Sequence, residues 1–263
     1  MFVRTWLRMI TGCCILLAIC TILCINASAS GAIGWYCKRS ADHTQPVLDA
    51  DLAIIDDLDG YYVDRKHSEP NQDKVIYLTF DAGYENGNVS KILDVLADQQ
   101  VRGAFFILEN LIERNPELVT RMANEGHLVC NHTSTHKNIT KIQQSELTRE
   151  ITDLEIAYRN LTGRQMAKYF RPPEGTFDQE SLMHVKNLGY KTVFWSFAYA
   201  DWDNAHQMSA QSAMKKIMEN LHNGEVMLLH PTSATNAEIL QDLIVELKRM
   251  GYRFGTLDEL CEE

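Results

Sequence analysis

Val75-Ile76-Tyr77-Leu78-Thr79-Phe80-Asp81-Ala82-Gly83 is an apolar run, rich in β-branched and aromatic residues, that ends on a carboxylate and a glycine. A run of this kind bounded by a turn residue reads as a buried strand. Gly83 is expected to let the chain turn sharply at the strand exit. Similar runs recur at 103–108, 127–131, 169–171, 192–197, 226–229 and 252–257. Between them lie amphipathic stretches near 89–100, 111–125, 145–162, 178–188, 208–222 and 235–250, read as helices. Thr235 with Glu238 is expected to form a capping box, and Gly126, Gly189 and Gly251 to follow helix ends. Seven strand-like runs alternating with helices predict an α/β fold, a parallel sheet with helical crossovers that is either closed as a barrel or open.

The bulk composition bounds what such a domain does. The chain has 263 residues, 45% of them hydrophobic, enough for one large core. Its formal net charge is -10 and no basic stretch suits phosphate contacts, so nucleic acid is excluded as a partner. Arg4 and Arg8 precede an apolar run over 9–25 that ends in Ala27-Ser28-Ala29, which reads as a secretory signal peptide over 1–29. The rival is an uncleaved anchor, since the run approaches a membrane span in length; only then would the protein associate with a membrane. Either reading exports the rest of the chain. Four of the seven cysteines fall in this segment, and Cys37, Cys130 and Cys261 do not make a disulfide framework. Residues 30–73 lack periodicity and are expected to form an irregular extension before a catalytic domain over 74–263.

Polar residues gather where these strands end. In a parallel α/β barrel, chemistry collects at the C-terminal ends of strands. Asp81 there suits a general base, or a turn-stabilising cap. His132-Thr133-Ser134-Thr135-His136 places two imidazoles four apart; on one face of a helical turn, both reach a single ion about 2.1 Å away. The plainer alternative is two polar histidines on a loop. Arg171-Pro172-Pro173-Glu174-Gly175 offers a guanidinium able to hold a carboxylate by two parallel hydrogen bonds, or only a stiff turn. His230 ends an apolar run, and an imidazole there serves structure unless the mechanism lacks an acid; cleaving an amide requires one. Asp201-Trp202 suits the wall of a sugar site, with a core tryptophan as the alternative.

The ordered set Thr-Phe-Asp-x-Gly, His-x-x-x-His, Arg-Pro-Pro-x-Gly, Asp-Trp and Leu-x-His resembles the five motifs of the NodB-type polysaccharide deacetylases, carbohydrate esterase family 4, over roughly residues 74–260. The resemblance implies a deformed (β/α) barrel of about seven parallel strands. Residues 77–87, 194–198 and 235–240, with 34–39 in the extension, are similar to the branch of delta-lactam-biosynthetic de-N-acetylases. That branch acts on N-acetylmuramic acid in the peptidoglycan of the spore cortex, so the implied partner is a peptidoglycan glycan strand. By the same resemblance Asp81 is the base, Arg171 its orienting partner and His230 the acid. His132 and His136 hold a divalent metal, Zn²⁺ by its imidazole ligands. Tyr84, through its backbone N–H, is implied as an oxyanion donor, and Pro173, Asp201 and Trp202 are placed with it as substrate-binding residues.

Two departures bear on this reading. The family usually carries a second Asp, a metal ligand, where this chain has Ala82, so the site should bind metal weakly. Ala198 stands where an Asp often steadies the arginine, which should leave Arg171 held mainly by Asp81. Glu174 has the wrong sign for an anionic lactyl group, and Lys38, Arg39 or Lys137 would have to compensate. The alternative functions are deacetylation of N-acetylglucosamine in peptidoglycan or chitin, and glycan binding without catalysis. The retained Asp81, Arg171 and His230 argue against the last, because a binder needs neither base nor acid.

Overall fold

The computed structural model describes residues 31–40, 42–68 and 73–262. The expected signal peptide over 1–29 lies outside the described residues. Ten strands are described: β1 (Ile33–Gly34), β2 (Gly60–Tyr61), β3 (Lys74–Ala82), β4 (Ala104–Ile107), β5 (Leu128–Asn131), β6 (Tyr169–Phe170), β7 (Thr176–Phe177), β8 (Lys191–Val193), β9 (Glu225–Leu229) and β10 (Tyr252–Phe254). All seven expected runs contain a strand, and these pair in parallel in the order β10-β3-β4-β5-β6-β8, with β9 also on β3. The nine-residue β3 is the hub. It pairs with β10 through Lys74–Ile76, with β9 through Ile76–Phe80 and with β4 through Thr79–Ala82. An isolated bridge, Phe197↔Met227, links the segment after β8 to β9 and curls the sheet into a deformed barrel.

Alternation along β3 sorts its side chains, because successive residues point to opposite faces. Ile76, Leu78, Phe80 and Ala82 pack in a large cluster with residues of helices Val89–Asp98, Pro116–Asn124 and Ala234–Arg249. Val75 and Tyr77 join a smaller cluster with Phe106, Cys130, Val193 and Val226, and Asp81 continues on that face. The carboxylate is thereby aimed inward at the rim.

The stretch read as an irregular extension contributes more than covering loops. Its β2 pairs in parallel with β8, and β1 pairs antiparallel with β7. Trp35, Leu52, Ile55, Leu58 and Tyr62 build a second core with Phe170, Phe177 and Phe194. Short strands carry little periodic signal, which is why the sequence hides them.

Several local expectations are corrected. The single helix over 111–125 is two, Glu109–Arg114 and Pro116–Asn124, because Asn115 takes φ -140, ψ 55 before a proline that disfavours helix in its predecessor. The helix at 234–249 is capped by Ser233, whose hydroxyl accepts from the Asn236 N–H; Thr235 instead donates to the Met208 carbonyl. The last run is strand only to Phe254, after which Thr256 caps a helix Leu257–Leu260. Gly126, Gly189 and Gly251 take positive φ just past helix ends, as expected. Gly83 bends the chain at the β3 exit, as expected, though without positive φ, and a Cβ there would lie 2.8 Å from Leu108 Cδ1. Among the described residues no helix is long and apolar enough to cross a membrane, and Cys37, Cys130 and Cys261 are free thiols.

Candidate active site

Asp81, at the inward face of the β3 exit, accepts a 2.7 Å hydrogen bond at Oδ1 from Arg171 Nη1. Arg171 has no exposed surface at all. A buried guanidinium must satisfy its donors, and this one does so along strand ends. Nε donates to the Val193 carbonyl at 2.9 Å, and Nη2 to Thr79 Oγ1 at 2.9 Å and the Phe194 carbonyl at 3.1 Å. The guanidinium carbon stands 4.1 Å from the Phe106 ring centroid. Two expectations are therefore corrected: the pair is joined by one hydrogen bond and not two, and Arg171 is held by Thr79 and two carbonyls as well as by Asp81. Burial pushes the Asp81 carboxyl up, but Arg171, His132 and His230 together outweigh it and hold it below its ordinary value.

The two histidines of the His-x-x-x-H stretch do converge, though not on a helical turn. Residues 132–136 follow β5 as a loop in which Thr133 and His136 take positive φ, 69 and 61. Asn131 Oδ1 accepts from the Thr133 N–H, and Thr133 Oγ1 from the His136 N–H. These local bonds replace helical ones. The loop is clamped by buried Glu150, whose carboxylate takes the Thr135 N–H and hydroxyl at 2.7 Å each. Burial raises the Glu150 carboxyl, but those two donors and Lys137 overcome it and keep it below the ordinary range. Glu150 sits among Leu147, Ile151, Leu154 and Tyr158 on the buried stripe of helix Gln144–Thr162. A charge at a core position of the helical period was the available signal, and sequence reading missed it.

His132 and His136 meet with ring centroids 4.9 Å apart. The His132 Nδ1–H donates to the Arg171 carbonyl at 2.8 Å, leaving Nε2 unprotonated and 3.7 Å from Asp81 Oδ2. Burial drives the His132 pKa down to about 4 against the pull of Asp81, so the ring is neutral at neutral pH. A neutral imidazole with its far nitrogen fixed by a carbonyl suits a metal ligand. Ala82, packed in the large apolar cluster, adds no donor. Among the described residues no three His, Cys, Asp or Glu side chains gather as a metal site. The two imidazoles are thus the donors the site presents to an ion.

His230 follows β9 directly. Its Nδ1 lies 2.7 Å from Asp201 Oδ1, and its backbone N–H donates to Asp201 Oδ2 at 2.8 Å. Asn236 Nδ2 donates to the same Oδ2 at 2.6 Å. Asp201 is buried and faces His230, which corrects its expected place in the sugar wall; its carboxylate is consumed by the histidine and Asn236. Burial lowers the His230 pKa, but the Asp201 hydrogen bond and charge, with Asp81, outweigh it and raise the value above the ordinary 6.5.

Asp81, His132, His136 and His230 line one open cleft of about 960 Å³. Tyr84 and Trp202, both substantially exposed, line it too, and Asn204 Nδ2 donates to the Tyr84 hydroxyl at 2.7 Å. Pro173 is buried and does not line the cleft; Glu174 and Gly175 do, a correction that follows from the one-residue twist Glu174 makes at φ 59. Of the three compensating cations considered, Lys38 pairs with Asp49 and Lys137 with Glu146 and Glu150, while Arg39 lines the cleft.

A parallel barrel whose rim brings a carboxylate, two adjacent imidazoles and a third imidazole to one groove defines an amide-hydrolysing site. A polysaccharide deacetylase profile matches residues 68–193, and the chain belongs to that family. It is 38% identical over 232 residues to the peptidoglycan-N-acetylmuramic acid deacetylase PdaA of Bacillus subtilis, covering 88% of this chain and 86% of that one. The structure of PdaA, a family 4 carbohydrate esterase, superposes with a TM-score of 0.83, covering 88% of this chain and 97% of that one at 38% identity. A peptidoglycan-N-acetylglucosamine deacetylase of Bacillus cereus is 31% identical over 196 residues, 73% of this chain and 90% of that one.

Proposed function

We propose that this chain hydrolyses the acetamido group of N-acetylmuramic acid residues in peptidoglycan, outside the cytoplasm, after removal of residues 1–29. In this reading 30–73 form an extension to a catalytic domain over 74–263. The observation that carries it is the convergence of Asp81, His132, His136 and His230 on one cleft. The likeness to PdaA over nearly the whole chain supports muramic acid over glucosamine.

Asp81, kept ionised by Arg171, takes the proton of the attacking water. His132 and His136 would hold the divalent ion, Zn²⁺ by ligand type, which when bound supplies Lewis-acid polarisation of water and acetyl carbonyl. The Tyr84 backbone N–H donates to the oxyanion as negative charge develops there. His230, with Nδ1 engaged by Asp201, donates its Nε2 proton to the departing amine as the C–N bond breaks. The products are acetate and a free amine beside the lactyl carboxyl of the same sugar. Condensation of those two groups with loss of water gives muramic delta-lactam, the fate expected in spore cortex.

Mass spectrometry of peptide-free glycan strands after incubation with the purified protein tests this reading. Loss of acetyl from muramic residues is expected; acetate release from glucosamine residues alone overturns it.

A further inference from the structure

N-Acetylmuramic acid differs from N-acetylglucosamine by a lactyl ether at O3 that ends in a carboxylate. O3 is on the carbon next to the one bearing the acetamido group, so this charge lies beside the amide that is cut. A cleft that prefers muramic acid needs a cation near Asp81 and His230.

Arg171 is buried in its strand-end bonds and does not line the cleft; Arg39 does. Its Nη2 donates to the Ala198 carbonyl, and its guanidinium lies 5.0 Å from the Phe197 ring centroid. Among the described residues no carboxylate lies within ion-pair distance of it. The rest of its fork is thus available to a ligand, and a planar fork matches a carboxylate better than an ammonium does. The segment carrying it is pinned: Trp35 Nε1 donates to the Trp195 carbonyl at 3.0 Å, the Trp35 N–H to the Gly175 carbonyl at 2.9 Å, and Cys37 Sγ lies 3.1 Å from the Trp195 carbonyl. Glu174, the opposing charge lining the cleft, accepts a hydrogen bond from Asn138 Nδ2 at 3.2 Å.

Resting on the muramic acid reading above, we propose that Arg39 is the specificity-determining residue of this site, binding the lactyl carboxylate of the sugar being deacetylated. The stretch outside the motif-bearing barrel thereby supplies the group that tells the two amino sugars apart.

The test compares wild type with Arg39→Gln and Arg39→Lys on two substrates: peptide-free glycan strands, and the same strands with the lactyl carboxyl reduced to the alcohol. On native strands Arg39→Gln should lose about ten- to hundredfold in kcat/KM, mostly through KM, with Arg39→Lys between. On reduced strands wild type should fall and the gap to Arg39→Gln close to about twofold. Equal loss on both substrates, or no loss on native strands, overturns the role of Arg39. Wild type that ignores muramic residues yet deacetylates N-acetylglucosamine oligomers overturns the parent reading, and is seen before any variant is made.

Discussion

Asp201→Asn keeps the shape of a buried side chain and removes the charge that supports His230. Both Asp201 oxygens are engaged, Oδ1 by His230 Nδ1 at 2.7 Å and Oδ2 by the His230 N–H and Asn236. In the native protein this carboxylate overcomes the lowering by burial and leaves the His230 pKa above 6.5. A hydrogen bond to a charged partner contributes about 1.5–3 kcal/mol, and 1.36 kcal/mol corresponds to one pH unit, so the His230 pKa should fall by about one to two units. His230 must be protonated to act as the acid, and activity is lost as pH rises through its pKa. The alkaline limb of the kcat/KM profile on peptide-free strands should therefore move down by about one to two units. A variant slowed equally at every pH, with that limb in place, would refute the assignment. The same linkage governs stability: the native pair stabilises fully below the unfolded value near 6.5, and the contribution fades as pH rises through the raised folded value.

Asp81→Asn should lose about a hundred- to ten-thousandfold in kcat while melting within a few degrees of wild type, since Arg171 retains Thr79 and two carbonyls; near-normal turnover contradicts its role. Glu150→Ala frees the Thr135 N–H and loosens the loop between the histidines, so the metal concentration for half-maximal activity should rise about ten- to hundredfold. Burial pushes the Glu225 carboxyl well above its ordinary range, a cost that grows as pH rises above the unfolded value. Glu225→Gln should accordingly raise the melting temperature at pH 8 more than at pH 4. Trp35→Ala removes a ring stacked 4.3 Å from Phe194 and should cost about 3–5 kcal/mol in urea unfolding, which a melting shift under two degrees would exclude.

The barrel is legible because β3 and β9 are buried on both faces and carry a polar residue at their exits, so β3 and Asp81 can be read together. His230 was legible for the same reason. Its support is only half legible: Asp201 stands out in the sequence, but a residue number does not reveal that the chain folds back to place it against His230. The histidine loop shows the opposite failure. Spacing of four suggested a helix, whereas Asn131, Thr133 and Glu150 offer side-chain partners that hold a left-handed loop, and Glu150 lies 15 residues from Thr135. Arg171 reads as an orienting group, but beyond Asp81 and Thr79 its acceptors are the backbone carbonyls of Val193 and Phe194, which no residue type announces. The two-residue strands β1 and β2 are too short for any period to show.

The central strand has a consequence for how the enzyme comes into being. β3 carries Asp81, yet its flanks are completed by β9 and β10, and Arg253 closes on Asp73 across 180 residues. Contacts so distant along the chain slow folding, because loops must close before they are rewarded. Half-synthesised polypeptide holds the base without the acid, and its unpaired β-edges invite association with other chains. Catalytic competence must arrive late and all at once, when β9 and β10 have joined β3.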